Sequence, residues 1–133
     1  GAQLLASELQ DHISLPFAPY ITYGDSDLLQ NVGDGMIRGI TLTCPGFYAP
    51  QGRTVRLSPL QGDLLSHYIS FQHGQITLTN FEMETAGYYA MASLLGHKML
   101  SVNVIVANRV HDVFSLQPEE AMKKAIELVL ERI

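Results

Sequence analysis

The sequence predicts an α/β fold, because segments typical of strands alternate along it with segments typical of helices. Two strand-like segments, Met36–Cys44 and Gln75–Phe81, are rich in β-branched and aromatic residues. A third, Lys98–Arg109, is a nearly continuous apolar run, as expected of a strand buried on both faces. Three strands are fewer than the roughly five or six of an average sheet. We therefore expect that part of the sheet is missing from this chain.

Helical patterns occur in four places. They are Ala2–Asp11, a segment around Gln61–Tyr68, Tyr88–Leu95 with Gly96 as its end, and a helix that begins at Pro118. The last is the clearest, because proline suits a first helical position and Glu119 and Glu120 follow in the first turn. It carries one apolar stripe, made of Met122, Ala125, Ile126, Val129 and Ile133, and an i,i+4 pair, Lys123 with Glu127, on its wet face. We expect this helix to pack rather than to catalyse.

Between these elements the sequence is rich in turn residues. A proline-punctuated loop runs to Asp27, and Asn31–Gly35 (NVGDG) is typical of a turn. There are no internal repeats.

Composition bounds the class of protein. The 133 residues are 47% hydrophobic, which suits one soluble globular domain, and no apolar run approaches the roughly 18 residues of a membrane span. The net charge of −5 and the scattered cations argue against a nucleic-acid partner. The single cysteine, Cys44, can form no internal disulfide, and no Cys/His spacing resembles a metal site. Without a visible signal peptide, these features predict a reducing, cytoplasmic setting.

Two glutamates lie close together in LTNFEMETAGYY, at Glu82 and Glu84. In one interpretation Thr79 and Glu82 form a capping box at a helix start, and Glu84 lies in the favourable first turn. In the other, the strand runs through Phe81 and the helix starts near Glu84. Both carboxylates would then point the same way from the strand end, where they could accept hydrogen bonds from the vicinal hydroxyls of a ribose.

The loop FYAPQGR, Phe47–Arg53, also has two interpretations. It could be a solvated loop with a surface glutamine and arginine. Alternatively, Gln51 and Arg53 lie at the end of a strand–loop unit, where α/β folds bind ligands. A glutamine amide donates and accepts, whereas a guanidinium only donates, so together they match the carbonyl, N–H, carbonyl edge of uracil. Phe47 would supply a face for stacking.

Arg109 follows the third apolar run, in VANRV. It could be an ordinary surface arginine, or it could help to hold a base or an anion.

The segments GFYAPQGR, TNFEMET and VIVANR occur in this order, and together they resemble the C-terminal half of a uridine phosphorylase of the nucleoside phosphorylase-I family. The resemblance covers 41–109 and thins before Asn31. It implies a three-layer αβα fold with a mixed sheet, of which this chain is an incomplete C-terminal portion. It also implies phosphorolysis of uridine to uracil and ribose 1-phosphate, with inorganic phosphate as co-substrate and no cofactor or metal.

The resemblance assigns roles to individual residues. Gln51 and Arg53 would bind the uracil edge, Phe47 would stack on the base, and Arg109 would support the base site. Met83 and Glu84 would hold the sugar, while Glu82 would have a sugar or structural role. Arg53 and Glu84 would be the catalytic pair, because the base leaves as an anion and the ribose becomes cationic.

The family's pattern is incomplete here. Its N-terminal glycine-rich phosphate loop has no counterpart, since NVGDG is short and precedes a strand. The fragment is therefore expected to expose a sheet edge and apolar surface, to associate as the dimer-based family members do, and to be inactive or nearly so on its own. Two alternatives stay open: a non-catalytic nucleoside-binding or assembly domain, and a purine phosphorylase or nucleosidase. Asn108–Arg109 counts against the latter, because purine-cleaving relatives carry an aspartate in that region.

Overall fold

The computed structural model describes residues 1–15, 18–59 and 62–133. These residues form a mixed helix and strand protein, which confirms the α/β class. The helices are α1 (Ala2–Ile13), α2 (Ser26–Asn31), α3 (Leu64–Ser70), α4 (Thr85–Leu95) and α5 (Pro118–Leu130). The strands are β1 (Ile40–Thr43), β2 (Gln72–His73), β3 (Ile76–Glu82), β4 (Ala107–Asn108) and β5 (Val113–Phe114). The chain divides into two compact units, Gly1–Tyr23 with Arg38–His97, and Gly24–Ile37 with Lys98–Ile133.

The first unit is built on a three-stranded mixed sheet of order β1-β3-β2. The pair β1 and β3 is parallel, and β2 pairs antiparallel with β3. Helix α1 buries Leu5, Leu9 and Ile13, which are four residues apart and so share one face of the helix. These side chains form a core with Leu64, Tyr68 and Phe71, and the sheet adds Ile40, Leu42, Leu78 and Phe81 to it.

A β-bulge sets which side chains of β3 face this core. Ile40 pairs with Leu78, but the next residue, Thr41, pairs with Asn80, so one residue of β3 is extra. Leu78 and Phe81, three residues apart, therefore both pack against the core. A Cβ atom on Gly39 would lie 2.1 Å from Cγ2 of Thr79, so the bulge leaves room only for glycine there.

Two polar side chains of α1, Glu8 and His12, contact β2 and α3. His73 Nδ1 lies 2.5 Å from Glu8 Oε2, and His12 Nε2 lies 3.0 Å from both the Ser70 hydroxyl and the His67 carbonyl oxygen. The carbonyl belongs to the last turn of α3, where intrahelical partners run out. These contacts give both histidines a structural role.

Most predicted elements of the first unit are confirmed. Helix α1 runs two residues beyond Asp11, and β3 runs one residue beyond Phe81. Helix α4 begins three residues before Tyr88 and ends at Gly96, which takes the left-handed conformation at φ 71°. The helix predicted around Gln61–Tyr68 is α3, although Gln61 lies outside the described residues. The strand predicted over Met36–Cys44 is shorter, because only Ile40–Thr43 pairs with a neighbour.

The strand predicted over Lys98–Arg109 is wrong for most of its length. Residues 98–106 form no strand, and only β4 lies within the run. Ile105 is 57% exposed, so the run is not buried on both faces. A strand exists only where a second backbone pairs with it, and among the described residues only β5 does so here, with β4. An apolar run therefore does not by itself predict a paired strand.

The second unit contains α2, which was not predicted. The Asp25 side chain accepts hydrogen bonds from the amides of Asp27 and Leu28, both at 3.0 Å, and so caps this six-residue helix. The predicted turn follows it, with Gly35 at φ 71°. Lys98 is ion-paired with Asp27.

Helix α5 is confirmed from Pro118, but its apolar stripe is covered only in part, at Ala125 and Val129. Lys123 and Glu127 do pair, at 3.8 Å. No residue of the helix is buried, however, and on the apolar stripe Met122 and Ile126 are about half exposed. An amphipathic stripe is buried only where an apolar surface faces it, and periodicity alone does not supply that surface. No helix among the described residues is both long enough and apolar enough to cross a membrane.

Candidate functional site

The candidate site lies at the carboxyl end of the parallel pair β1 and β3. Thr43 and Glu82 are the last paired residues of the two strands, and the Cys44 amide donates to the Glu82 carbonyl oxygen at 2.8 Å. Because the strands are parallel, the loops that follow them leave the sheet at the same edge. One loop carries Phe47, Gln51 and Arg53, and the other carries Met83 and Glu84.

The loop after β1 is folded back on itself. Residues Ala49–Gln51 form a 3₁₀ turn, and Gly52 follows in the left-handed conformation at φ 70°. The Arg53 amide then donates to the Tyr48 carbonyl oxygen at 2.9 Å, which closes the turn. The turn places the side chain of Gln51 inside, where the residue is only 5% exposed. The interpretation of this segment as a loop with a surface glutamine is therefore wrong for Gln51.

Three of the predicted base-binding side chains meet in this loop. Arg53 Nη1 donates to the carbonyl oxygen of Phe47 and, at 2.5 Å, to Oε1 of Gln51. The guanidinium carbon lies 3.7 Å from the centroid of the Phe47 ring, a cation–π contact. The sequence predicts one site for these residues, and in the structure Arg53 contacts both of the others.

In this arrangement Arg53 occupies the groups predicted to recognise a base. It covers one face of Phe47 and donates to the oxygen of Gln51 that would accept from a ring N–H. A planar base could use the same ring face only after the guanidinium had moved away, whereas the Gln51 oxygen has a second lone pair with which it can accept from a base. Arg53 thus contacts the polar and aromatic groups of its own loop in place of a ligand.

Glu82 joins three elements through both oxygens of its carboxylate. Oε1 accepts from the hydroxyl of Thr43, and Oε2 accepts from the amides of Glu84 at 2.7 Å and Thr85 at 2.5 Å. The Thr43 hydroxyl in turn accepts from the Ala86 amide at 3.0 Å. The carboxylate therefore links β1 and β3 to the first amides of α4, which have no partners within the helix.

This geometry decides between the two interpretations of the glutamate pair. The capping box from Thr79 is wrong, because Thr79 lies inside β3 and the helix begins at Thr85. Glu82 nonetheless caps the helix, from the end of the strand. The other interpretation is confirmed in its bounds, since β3 runs through Phe81 to Glu82 and α4 begins at Thr85, directly after Glu84. Because the strand ends at Glu82, strand alternation does not determine where the Glu84 side chain points.

The hydrogen bonds to Glu82 also set its charge. Burial raises the pKa of this carboxyl, but the hydroxyl of Thr43 and the amides of Thr85 and Glu84 lower it further than burial raises it. The pKa of Glu82 therefore lies below its usual value, and the side chain stays ionised at neutral pH. A carboxylate with both oxygens engaged is suited to holding structure.

Met83 and Glu84 are both exposed, between β3 and α4. Glu84 is the residue that precedes the helix, and its Oε2 accepts from the Met83 amide at 3.2 Å. The Glu84 carboxylate is thus presented to solvent at the same edge of the sheet as the loop after β1.

Arg109 lies in the second unit, in the turn that joins β4 to β5. Asn108 shapes this turn, because its side-chain oxygen accepts from the amides of Val110 at 3.0 Å and His111 at 3.2 Å. Arg109 is half-buried.

Sequence reasoning missed two residues that hold this site, Thr43 and Tyr68. Thr43 contacts Glu82, and the Tyr68 hydroxyl donates to the carbonyl oxygen of Pro50 in the loop after β1. A threonine at the end of a strand that leads into a candidate loop could have indicated the first. The second depends on a contact between residues 18 positions apart, which no local pattern shows.

No three His, Cys, Asp or Glu side chains lie close enough to hold a metal ion within the part of the chain that the structure describes. Comparisons with protein-family models, with curated proteins and with solved structures found no match to this chain. The functional interpretation therefore depends on the site's own geometry and on the resemblance of its three motifs.

Proposed function

We propose that this chain carries the base-binding and ribose-binding half of a uridine phosphorylase site. Phe47, Gln51 and Arg53 would bind uracil, and Met83 and Glu84 would bind the ribose. Arg109 would support the base. Glu82, which the resemblance left between two roles, is proposed to hold the site rather than to touch the sugar.

The observation that carries this proposal is the parallel pairing of β1 with β3. It brings an aromatic ring, a buried amide and a guanidinium to the same sheet edge as an exposed carboxylate. A pyrimidine nucleoside needs this combination, because its base offers a flat face and amide-like edge groups while its sugar offers hydroxyl donors.

The proposed reaction requires no nucleophile from the protein. A phosphate oxygen attacks the anomeric carbon, the N-glycosidic bond breaks, and its electron pair leaves with the base. Arg53 would stabilise the negative charge that develops on uracil, once its guanidinium has left Phe47. Glu84 would accept from the sugar hydroxyls and favour the positive charge that develops on the ribose.

The same proposal includes four further features. The fold would be a three-layer αβα arrangement, and the phosphate-binding groups would come from outside these 133 residues. The assembly would be dimer-based and the setting cytoplasmic. Exposed apolar side chains such as Leu94, Phe114 and Leu116 support association. Size-exclusion chromatography is expected to show self-association, and a monomer that is stable on dilution would contradict it.

A non-catalytic nucleoside-binding or assembly domain is the second candidate. The observation that favours it is the engagement of Arg53 with its own loop, which leaves no guanidinium N–H aimed from Nη1 at a ligand. A purine phosphorylase or nucleosidase relative is less well supported, because Asn108 and Arg109 stand where purine-cleaving relatives have an aspartate.

Calorimetric titration of the chain with uracil, uridine and adenosine tests the proposal. Uracil and uridine are expected to bind and adenosine to bind much more weakly, whereas equal binding of adenosine would contradict the pyrimidine assignment. Phe47→Leu is expected to lose most of the uracil affinity, and Phe114→Leu, at an exposed ring of the second unit, to keep it.

Turnover separates the two candidates. Uracil release from uridine is measured with and without phosphate, first on the chain and then on the chain mixed with the segment that supplies the phosphate site. We expect release only in the second case and only with phosphate. Binding without turnover there would favour the non-catalytic domain, and release without phosphate would favour a nucleosidase.

A further inference from the structure

Tyr68 lies on α3, an element that supplies none of the side chains proposed to touch the nucleoside. It is 2% exposed, and its ring packs in the core with a centroid 5.1 Å from that of Phe81. Its hydroxyl donates to the carbonyl oxygen of Pro50 at 2.9 Å. A rigid side chain anchored in the core thus reaches the middle of the 3₁₀ turn that carries Gln51.

A second contact holds the same turn against the same helix. A Cβ atom on Gly52 would lie 3.2 Å from Cβ of Leu64 and 3.3 Å from the Leu65 amide nitrogen. Gly52 therefore lies directly against the first turn of α3, with the left-handed φ that glycine adopts readily. The turn that carries Gln51 is held at Pro50 and at Gly52, on either side of that residue.

We propose that Tyr68 is a positioning residue that fixes the Gln51 amide in the orientation that recognises the base. The inference rests on the proposed function, and it adds α3 to the elements that build the site. Pro50 has no amide hydrogen, so this residue can be tied down by hydrogen bonding only through its carbonyl oxygen. The Tyr68 hydroxyl supplies that bond in a partly buried position, where a carbonyl that loses its donor is only partly compensated by water.

Tyr68→Phe is the direct test, because it removes one oxygen and keeps the ring in the core. We expect uracil affinity to fall roughly three- to tenfold, as for the loss of one buried hydrogen bond. The side-chain amide resonances of Gln51 should shift in the ligand-free protein, since the turn loses one of its two attachments. Tyr48→Phe is the matched control, because Tyr48 belongs to the same loop and is exposed; it should change neither quantity.

These readouts distinguish positioning from general stability. A purely structural Tyr68 would lower the unfolding temperature of Tyr68→Phe but leave the uracil affinity of the folded protein and the Gln51 resonances unchanged, and that result would overturn the inference. If the unsubstituted chain binds no uracil, the proposed function fails. The Gln51 resonances then test the role of Tyr68 without any ligand. Unchanged resonances in Tyr68→Phe would refute the positioning of the turn by Tyr68.

Discussion

The hydroxyl of Thr43 and the carboxylate of Glu82 are joined by a hydrogen bond across the ends of the two parallel strands. The same two groups hold the first amides of α4. The two glutamates of the segment FEMET, residues 81–85, therefore have different roles. Glu82 is committed to the scaffold, and Glu84 is the carboxylate left at the surface.

Replacement of Glu82 should therefore lower stability. In Glu82→Gln one of the two oxygens becomes an amide group that cannot accept, so donors from Thr43, Glu84 or Thr85 lose their partner. We expect the free energy of unfolding at pH 7 to fall by about 1–3 kcal/mol, measured by urea denaturation. Glu131→Gln, an exposed residue just after α5, is the control and should change little. An equal loss in both variants would contradict a scaffold role for Glu82.

The contribution of Glu82 should depend on pH in a defined direction. Its pKa in the folded protein is below the ordinary value of 4.5. The ionised carboxylate therefore stabilises the fold fully above about pH 4.5, and this stabilisation is lost as the pH falls through the lower, folded pKa. The stability difference between the unsubstituted chain and Glu82→Gln should stay constant from pH 7 to about 5 and shrink below 4.5. A difference that is unchanged at acid pH would contradict the lowered pKa.

Glu84 should act on the sugar without affecting stability. The residue is exposed, and its carboxylate accepts a hydrogen bond from the neighbouring Met83 amide at 3.2 Å. In Glu84→Gln a charge-assisted hydrogen bond, worth about 1.5–3 kcal/mol, becomes a neutral one, worth about 1 kcal/mol, so we expect uridine to bind about tenfold more weakly. Uracil, which has no sugar, should bind unchanged. Calorimetry with both ligands measures this, and a parallel loss for uracil would place Glu84 at the base instead.

The guanidinium of Arg53 should move when a base binds. It now covers the Phe47 ring at 3.7 Å, and a base that stacks there must displace it. Saturation with uracil should therefore shift the Nε–H resonance of Arg53 away from the position set by the ring current. The resonance of Arg56, an exposed arginine three residues on, is the internal reference and should not shift. An unchanged Arg53 resonance at saturation would mean that the base binds elsewhere.

Local patterns were sufficient where neighbouring residues determine the structure. Helix α5 begins at Pro118 as expected, and β3 follows its β-branched residues. The grouping of Phe47, Gln51 and Arg53 also depends on one short loop, and in the structure Arg53 contacts the other two.

Patterns failed where the outcome depends on a partner elsewhere. Residues 98–106 have the composition of a buried strand, but strand formation requires a second backbone at hydrogen-bonding distance. The stripe on α5 has the spacing of a packed face, but burial requires an opposing apolar surface. The role of Glu82 was ambiguous for the same reason, because Thr43 lies 39 residues away.

The bulge at Thr79 marks a position where the chain could lose a residue and keep its register. Loss of one residue at position 79 would leave Leu78 and Phe81 on the core face and Glu82 opposite Thr43, because strict alternation already gives that arrangement. The same loss would remove the side chain that a Cβ atom on Gly39 would meet. Positions 39 and 79 are thus linked as a pair: while Thr79 is present a side chain at position 39 would clash with it, and deletion of Thr79 would remove that clash.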